Sequence, residues 1–128
     1  ALGTGGLTIN GGAIGSVTSA RTITNEITVN ANFNLGVTNA GFTPQATTFD
    51  GTVNLGGATR TITMVQNSAT FGGVISNGGL VINSDNTARA FALTNSGNTF
   101  TGGVTVNGGI FRLSGSGAID ATNAVNLA

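Results

Sequence analysis

The chain has 128 residues, enough for one domain with a modest hydrophobic core, and a formal net charge of zero. Its charged side chains are four Arg and four carboxylates, and the sequence has no Lys, His, Cys, Tyr or Trp. This composition excludes catalysis by imidazole, thiol or amine and soft-metal ligation, and the absence of net positive charge argues against nucleic-acid binding. We expect no cofactor, no metal site and no enzymatic activity.

Short alternating segments indicate the fold class. Gly, Thr, Asn and Ser together supply 67 residues, yet 39% of the chain is apolar, which argues against disorder. Apolar residues alternate with Thr in segments such as 7–9, 27–29 and 104–106. A period of two predicts β-strands, and no apolar run is long enough for a membrane helix. The sequence therefore predicts an all-β protein that does not insert this segment into a membrane.

Pairs of apolar residues recur at coil length along the chain. The first positions of these pairs are 20, 26, 21, 30 and 21 residues apart, and a second apolar cluster follows most pairs by six to nine residues. This spacing predicts a parallel β-solenoid of about six coils of 20–30 residues, stacked about 4.8 Å apart. The pairs are Leu7/Ile9, Ile27/Val29, Val53/Leu55, a degenerate member at Val74, Val104/Val106 and Val125/Leu127.

Glycine and asparagine mark the predicted coil corners, because they adopt the positive φ that tight corners require. Asn side chains stacked at such corners are expected to form amide ladders. Asn-Gly between alternating segments also favours hairpins, so an antiparallel sandwich or barrel is the alternative, although only a solenoid explains the coil-length spacing. The predicted corner residues are Gly56, Gly57, Gly78, Gly79, Asn107, Gly108 and Gly109.

Three segments, 48–57, 70–79 and 99–109, resemble one another. Their aligned aromatic residues predict a stack of rings inside the solenoid, with the valine that follows each ring also in the core. A platform for carbohydrate stacking is the alternative, although such platforms usually contain Trp or Tyr. The predicted core residues are Phe49, Phe71 and Phe100 with Val53, Val74 and Val104.

The segment 71–113 resembles the autotransporter-associated β-strand repeat of bacterial surface proteins. The resemblance is densest at LTNSGNTFTGGVTVNGGIFRL, residues 93–113, which has an Asn-Thr-aromatic-Thr-Gly-Gly core followed by Thr-Val-Asn-Gly-Gly. Residues 53–64 and 20–36 are similar to segments found in the same proteins. The resemblance implies a right-handed parallel β-helix displayed outside the bacterial cell in a structural or adhesive role.

The acidic residues raise the possibility of an enzyme, because β-helices also carry lyases and hydrolases. Asp50, Asp85 and Asp120 are spaced by 35 residues and could share one face, but each also suits a corner or an exposed strand position. Four scattered acids cannot fill several calcium sites, and no Gly-Gly-x-Gly-x-Asp repeat occurs. The Gly-rich segments 3–6 and 114–117 lack the helix and Lys of a phosphate loop.

Two Thr-x-Thr segments raise an ice-binding hypothesis. Thr22/Thr24 and Thr61/Thr63 lie 39 residues apart, whereas a lattice-matching surface needs the motif on consecutive coils. Ordinary solvent-facing strand positions are the simpler interpretation.

Both ends of the sequence are strand-like, with no charged or helical cap in segments 1–10 and 124–128. We therefore expect copies of the chain, or neighbouring coils of a longer chain, to stack on these ends. The predicted function is a non-enzymatic extracellular structural module. It is one solenoid domain, 1–128, acting as a segment of, or repeating subunit in, a bacterial surface fibre or passenger stalk. An adhesin passenger fragment and a carbohydrate-active β-helix enzyme are the alternatives.

Overall fold

The computed structural model describes residues 2–38, 41 and 43–128, so Ala1, at the start of the predicted strand-like end, lies outside the described residues. Strands and turns make up the described ranges, with no helix that could span a membrane. The prediction of an all-β protein is confirmed. The strands are β1 (Leu7–Ile9), β2 (Ala13–Ile14), β3 (Ser16–Val17), β4 (Arg21–Ile23), β5 (Ile27–Val29), β6 (Phe33–Leu35), β7 (Pro44–Gln45), β8 (Thr47–Phe49), β9 (Val53–Met64), β10 (Ala69–Phe71), β11 (Ile75–Ser84), β12 (Ala90–Leu93), β13 (Val104–Val106), β14 (Ile110–Leu113) and β15 (Val125–Leu127).

The strands stack in three parallel columns. Column 1 contains β1, β5 and the first parts of β9 and β11; column 2 contains β2, β6, the second parts of β9 and β11, and β13 and β15. Column 3 contains β4, β8, β10, β12 and β14. The chain visits columns 1, 2 and 3 in each turn and makes about five turns, which confirms the predicted right-handed parallel β-helix. A short antiparallel pair, β3 with β7, lies outside the columns.

Alternation along each strand sends one set of side chains into a single hydrophobic core. The central residues of the first three column 3 strands, Thr22, Thr48 and Thr70, point away from the core, while their neighbours Phe49 and Phe71 are fully buried. The inward side chains of successive turns form one cluster, so the core runs along the solenoid axis.

The third of the three similar segments does not occupy the place that the alignment predicts. Segments 48–57 and 70–79 stack directly, with Phe49 beside Phe71, but Val104 pairs with Leu80 in column 2 and not with the Val53 position of column 1. The 29-residue likeness is therefore a likeness of sequence between different columns. Two of the six predicted pairs, Val104/Val106 and Val125/Leu127, belong to column 2, so the six pairs do not form a single column.

Val74 is only half-buried, and Ile75 takes the core position opposite Val53. The true offset between these turns is 22 residues, one more than predicted. Because side chains alternate between faces, this slip of one residue moves Val74 from the core to the surface side.

The aromatic stack forms with a different membership from the predicted one. Ring centroids lie 4.8 Å apart between Phe49 and Phe71 and 4.6 Å apart between Phe71 and Phe91, and Phe111 continues the stack at 6.5 Å. Phe100 is fully buried but lies outside this stack, because it follows Asn98 in the column 1 part of its turn. The backbone partner of Phe91 is an alanine, Ala69, which leaves room for the ring to reach Phe71.

Only some of the predicted corner positions require glycine because their backbone φ is positive. Gly56 and Gly57 have φ of 70° and 75° where β9 passes from column 1 to column 2, and Gly78 and Gly109 also have positive φ. Gly79 and Gly108 do not have positive φ. A Cβ on Gly79 would lie 2.6 Å from Gly102 O, and a Cβ on Gly108 would lie 2.2 Å from Ser84 O. They are glycines because neighbouring turns approach closely, which is a different requirement from a left-handed corner.

Asparagine amides stack between turns at three exposed positions. Nδ2 donates to Oδ1 of the asparagine one turn away, at 2.9–3.0 Å in each pair. Asn107 lies at the predicted corner, in the bend between β13 and β14, but its φ is not positive, and its side chain makes one of these amide contacts. The pairs are Asn30 with Asn10, Asn77 with Asn54, and Asn107 with Asn83.

Candidate functional site at the two ends

The three aspartates lie at different places around the solenoid. Asp50 follows β8 of column 3, Asp85 follows β11 of column 2, and Asp120 lies between β14 and β15. The 35-residue spacing does not bring them to one face. Among residues 2–38, 41 and 43–128, no group of three or more His, Cys, Asp or Glu side chains is arranged to hold a metal ion.

Two arginines donate hydrogen bonds to backbone carbonyls at the corners. Arg60 Nε donates to Leu55 O at 2.8 Å, and Arg89 donates to Met64 O at 3.1 Å while pairing with Asp85. Asp120 accepts hydrogen bonds from the hydroxyl and the amide of Thr122, and these lower the pKa of its carboxyl. These charged groups stabilise turns, and their arrangement is not that of an acid–base pair.

A groove of about 270 Å³ lies at the corner between columns 1 and 2. It is lined by small and polar residues without a charged or titratable side chain, so it offers little chemistry. Its lining includes Gly57, Thr59, Asn77, Gly79 and Thr101.

The C-terminal end exposes the apolar residues of the last strands. Leu127 on β15 is 78% exposed and Leu113 on β14 is 46% exposed, and Ile110 and Val125 on the same strands are exposed as well. β15 ends column 2 and β14 ends column 3 within the described chain. This end is an apolar surface bounded by unpaired strand edges.

The N-terminal end carries the corresponding first strands, β1, β2 and β4. A cavity of about 330 Å³ opens beside β4, and Leu2, at its mouth, is 58% exposed. Apolar and polar side chains share the lining, among them Ile14, Ser16, Arg21, Ile23 and Thr47.

Backbone groups at the two ends alternate in a matching pattern. Gly12 O and Ile14 O accept from the next turn, so the N–H and C=O of Ala13 point away from the solenoid. At the other end, Ala124 O and Ala128 N bond to β13, so the groups of Val125 and Leu127 point away. Both edges therefore present free donors and acceptors to anything that stacks on them.

Asn98 is a structural residue that the sequence did not single out. It is 95% buried, and its Oδ1 accepts from Ile75 N at 2.8 Å, where a backbone carbonyl would act in a regular column 1 strand. Its Nδ2 donates to Asn95 O and Ala118 O, both at 2.8 Å. One side chain thus links three successive turns at a point without a regular strand. In the sequence Asn98 is the first residue of the Asn-Thr-aromatic-Thr-Gly-Gly motif, and that motif gave no indication of this hydrogen-bonding role.

The fold defines the chain as a parallel β-solenoid. Comparisons with known protein families, curated proteins and solved structures find no match. The resemblance to the autotransporter-associated repeat therefore depends on the sequence motifs of residues 93–113 and their weaker neighbours.

Proposed function

We propose that the chain is a non-enzymatic structural module, a solenoid unit of a bacterial surface fibre or passenger stalk that lengthens when copies stack end to end. One observation carries the proposal: Leu113, Val125 and Leu127, in inward positions of the C-terminal strands, are apolar and exposed, whereas their partners one turn inside are buried. Stacking removes this surface from water and pairs the strand edges.

Column register favours this mode of stacking. Phe33, Ile62, Ile82, Val106 and Leu127 are successive partners in column 2. In a second copy that continues the column, the residue over Leu127 is Gly12, because Ala13 pairs with Asn34. Glycine leaves space for the exposed leucine, and the free groups of Ala13 alternate correctly with those of Val125 and Leu127.

The charge at the two ends does not oppose stacking. Arg21 and Glu26 are exposed near the N-terminal end, and Arg112 and Asp120 lie near the C-terminal end. Each end thus has one positive and one negative side chain, so neither end carries a net charge that would repel a second copy.

The positions of the apolar and acidic residues favour this proposal over its alternatives. Adhesion through a side face would require an apolar patch there, but the exposed large apolar residues of the described chain are Leu2 and four residues of β14 and β15. An enzyme would require carboxylates gathered in a groove, and the aspartates are dispersed. The extracellular bacterial location is proposed from the family resemblance.

Sedimentation velocity over a wide concentration range tests the proposal. We expect the average mass of the wild-type chain to rise with concentration and Leu127→Lys to remain monomeric. Thr28→Lys is the matched control, because Thr28 is exposed on the side face of a middle turn. A wild-type chain that stays monomeric throughout, or a control that loses association as completely as Leu127→Lys, would overturn end-to-end stacking.

A further inference from the structure

Every Asn-Gly sequence of the chain begins at an asparagine of one of the three inter-turn amide pairs. In an Asn-Gly sequence the backbone nitrogen of the glycine can attack the asparagine side chain readily, because glycine has no side chain to shield that nitrogen. The chemically least stable asparagines of the chain therefore lie at contacts between neighbouring turns. The three sequences are Asn10-Gly11, Asn77-Gly78 and Asn107-Gly108.

Asn77 is exposed although turns of the solenoid lie on both sides of it. Its Nδ2 donates to Asn54 Oδ1 of the preceding turn at 3.0 Å, and Gly102 N of the following turn donates to Gly78 O at 2.8 Å. Asn77 and Gly78 also line the groove of about 270 Å³ between columns 1 and 2. This groove has no charged side chain, but it admits water to the Asn77 amide and to the peptide bond that follows it.

The backbone of Asn77 interrupts the pairing between β9 and β11. Ser76 pairs with Asn54 and Gly78 pairs with Ala58, so Asn77 has no partner in the ladder and lies opposite three residues, 55–57. Its φ is 60°, a left-handed value that is strained for a residue with a side chain. Asn10 and Asn107 do not have positive φ. Asn77 therefore lacks the regular ladder that holds a strand asparagine away from the next backbone nitrogen.

We infer that Asn77 is a site of spontaneous deamidation. The Gly78 nitrogen loses its proton and bonds to Asn77 Cγ, while the Cγ–Nδ2 bond breaks and Nδ2 leaves with a proton as ammonia. Water then opens the resulting five-membered succinimide at either of its two carbonyl groups. Position 77 becomes an aspartyl or an isoaspartyl residue, and water is the only co-reactant.

Deamidation changes the contact between the two turns. Asn54 Oδ1 also accepts from Gly56 N at 2.8 Å, so it remains an acceptor, and the new carboxylate has no proton to donate to it. The formal net charge of the chain is zero, so each conversion leaves one excess negative charge. Deamidation therefore breaks the link between Asn77 and Asn54 and makes this corner acidic. The inference is independent of end-to-end stacking.

Peptide mapping of the intact chain after prolonged incubation at neutral pH tests the inference. Cleavage after arginine places Asn77 in the peptide 61–89, apart from Asn10 and Asn107. We expect a gain of about 1 Da at residue 77, with isoaspartyl product, at a rate about tenfold or more above that of Asn83, which precedes a serine. If the folded chain keeps the Asn77 amide while the isolated peptide 61–89 converts, the inference is wrong. A product that is aspartyl alone would overturn the succinimide step.

Two variants assign the mass gain to one residue. Asn77→Gly places at this position a residue that adopts positive φ, so it should keep the fold and abolish the gain in the peptide 61–89. Asn83→Ser is the matched control, because it changes an asparagine of the same peptide and should leave the gain unchanged. An Asn77→Gly chain whose peptide gains mass as fast as that of the wild type would contradict the assignment to Asn77.

Discussion

Leu93 and Leu113 are partners on neighbouring strands of column 3, yet Leu93 is fully buried whereas Leu113 is 46% exposed. Column 2 shows the same contrast between Val106, which is 5% exposed, and its partner Leu127, which is 78% exposed. The inward pattern of side chains is the same in the middle turns and at the C-terminal end. The middle turns are covered by a further turn, whereas the last strands are not, and this difference is the physical basis of the proposed stacking.

The middle turns should depend on side-chain volume far more than the end does. Phe71 is stacked between Phe49 and Phe91, so Phe71→Ala should lower the free energy of unfolding by about 3–5 kcal/mol. Phe111 is half-buried at the end of the same stack, and Phe111→Ala should cost about 1–2 kcal/mol. Urea unfolding of both variants measures the contrast. Equal losses would show that the end is packed as firmly as the middle.

Asn98 extends the comparison to buried hydrogen bonds. Asn98→Ala leaves Ile75 N and the carbonyls of Asn95 and Ala118 without this partner, and should cost about 3 kcal/mol. Asn107→Ala removes one exposed amide contact and should cost at most about 0.5 kcal/mol. Thermal unfolding of the two variants measures the difference. If Asn98→Ala unfolds at the wild-type temperature, the side chain does not link the turns.

Substitution of a glycine at which neighbouring turns approach closely should have a smaller effect on the free energy of unfolding. A Cβ on Gly73 would lie 1.9 Å from Gly51 O, so Gly73→Ala must push two turns apart and should cost about 2 kcal/mol. Gly5→Ala is the control, because no atom lies within 4 Å of its added Cβ. A variant Gly73→Ala as stable as Gly5→Ala would contradict the tight stacking of the middle turns.

The smallest expected effect is that of pH. The Thr122 hydrogen bonds lower the pKa of Asp120 below its ordinary value of 3.8, so they favour folding above that value and lose this contribution as pH falls through the folded pKa. With no His, Cys, Lys or Tyr, we expect a constant unfolding temperature between about pH 5 and 9 and a decline only in acid. Asp120→Asn should reduce the acid decline. A transition near neutral pH would contradict this expectation.

Alternation and coil-length spacing were sufficient to predict the column 1 strands of the first three turns. The pairs starting at Leu7, Ile27 and Val53 are true partners, at the predicted offsets of 20 and 26 residues. The prediction was wrong at Val104, because the motif Gly-Gly-Val-x-Val suits column 2 as well as column 1. It was also wrong at Val74, where a one-residue slip reverses the buried face.

The candidate site was predictable only in part. Strand-like segments at both ends of the sequence predicted terminal strands, and β1 and β15 are the outermost strands of their sheet in the described chain. The way column 1 continues past β11 could not be predicted, because around Asn98 a side-chain hydrogen bond replaces the regular strand. A sequence pattern shows where side chains alternate, but it does not show where a side chain accepts a hydrogen bond in place of a backbone carbonyl.

Negative-stain electron microscopy of the purified chain tests end-to-end stacking most directly. Because column 2 has six strands spaced about 4.8 Å apart, stacking predicts unbranched filaments with a repeat of about 29 Å. Leu127→Lys should give short single rods under the same conditions. Wild-type preparations that contain only short rods at every concentration would contradict self-stacking as the function of the exposed ends.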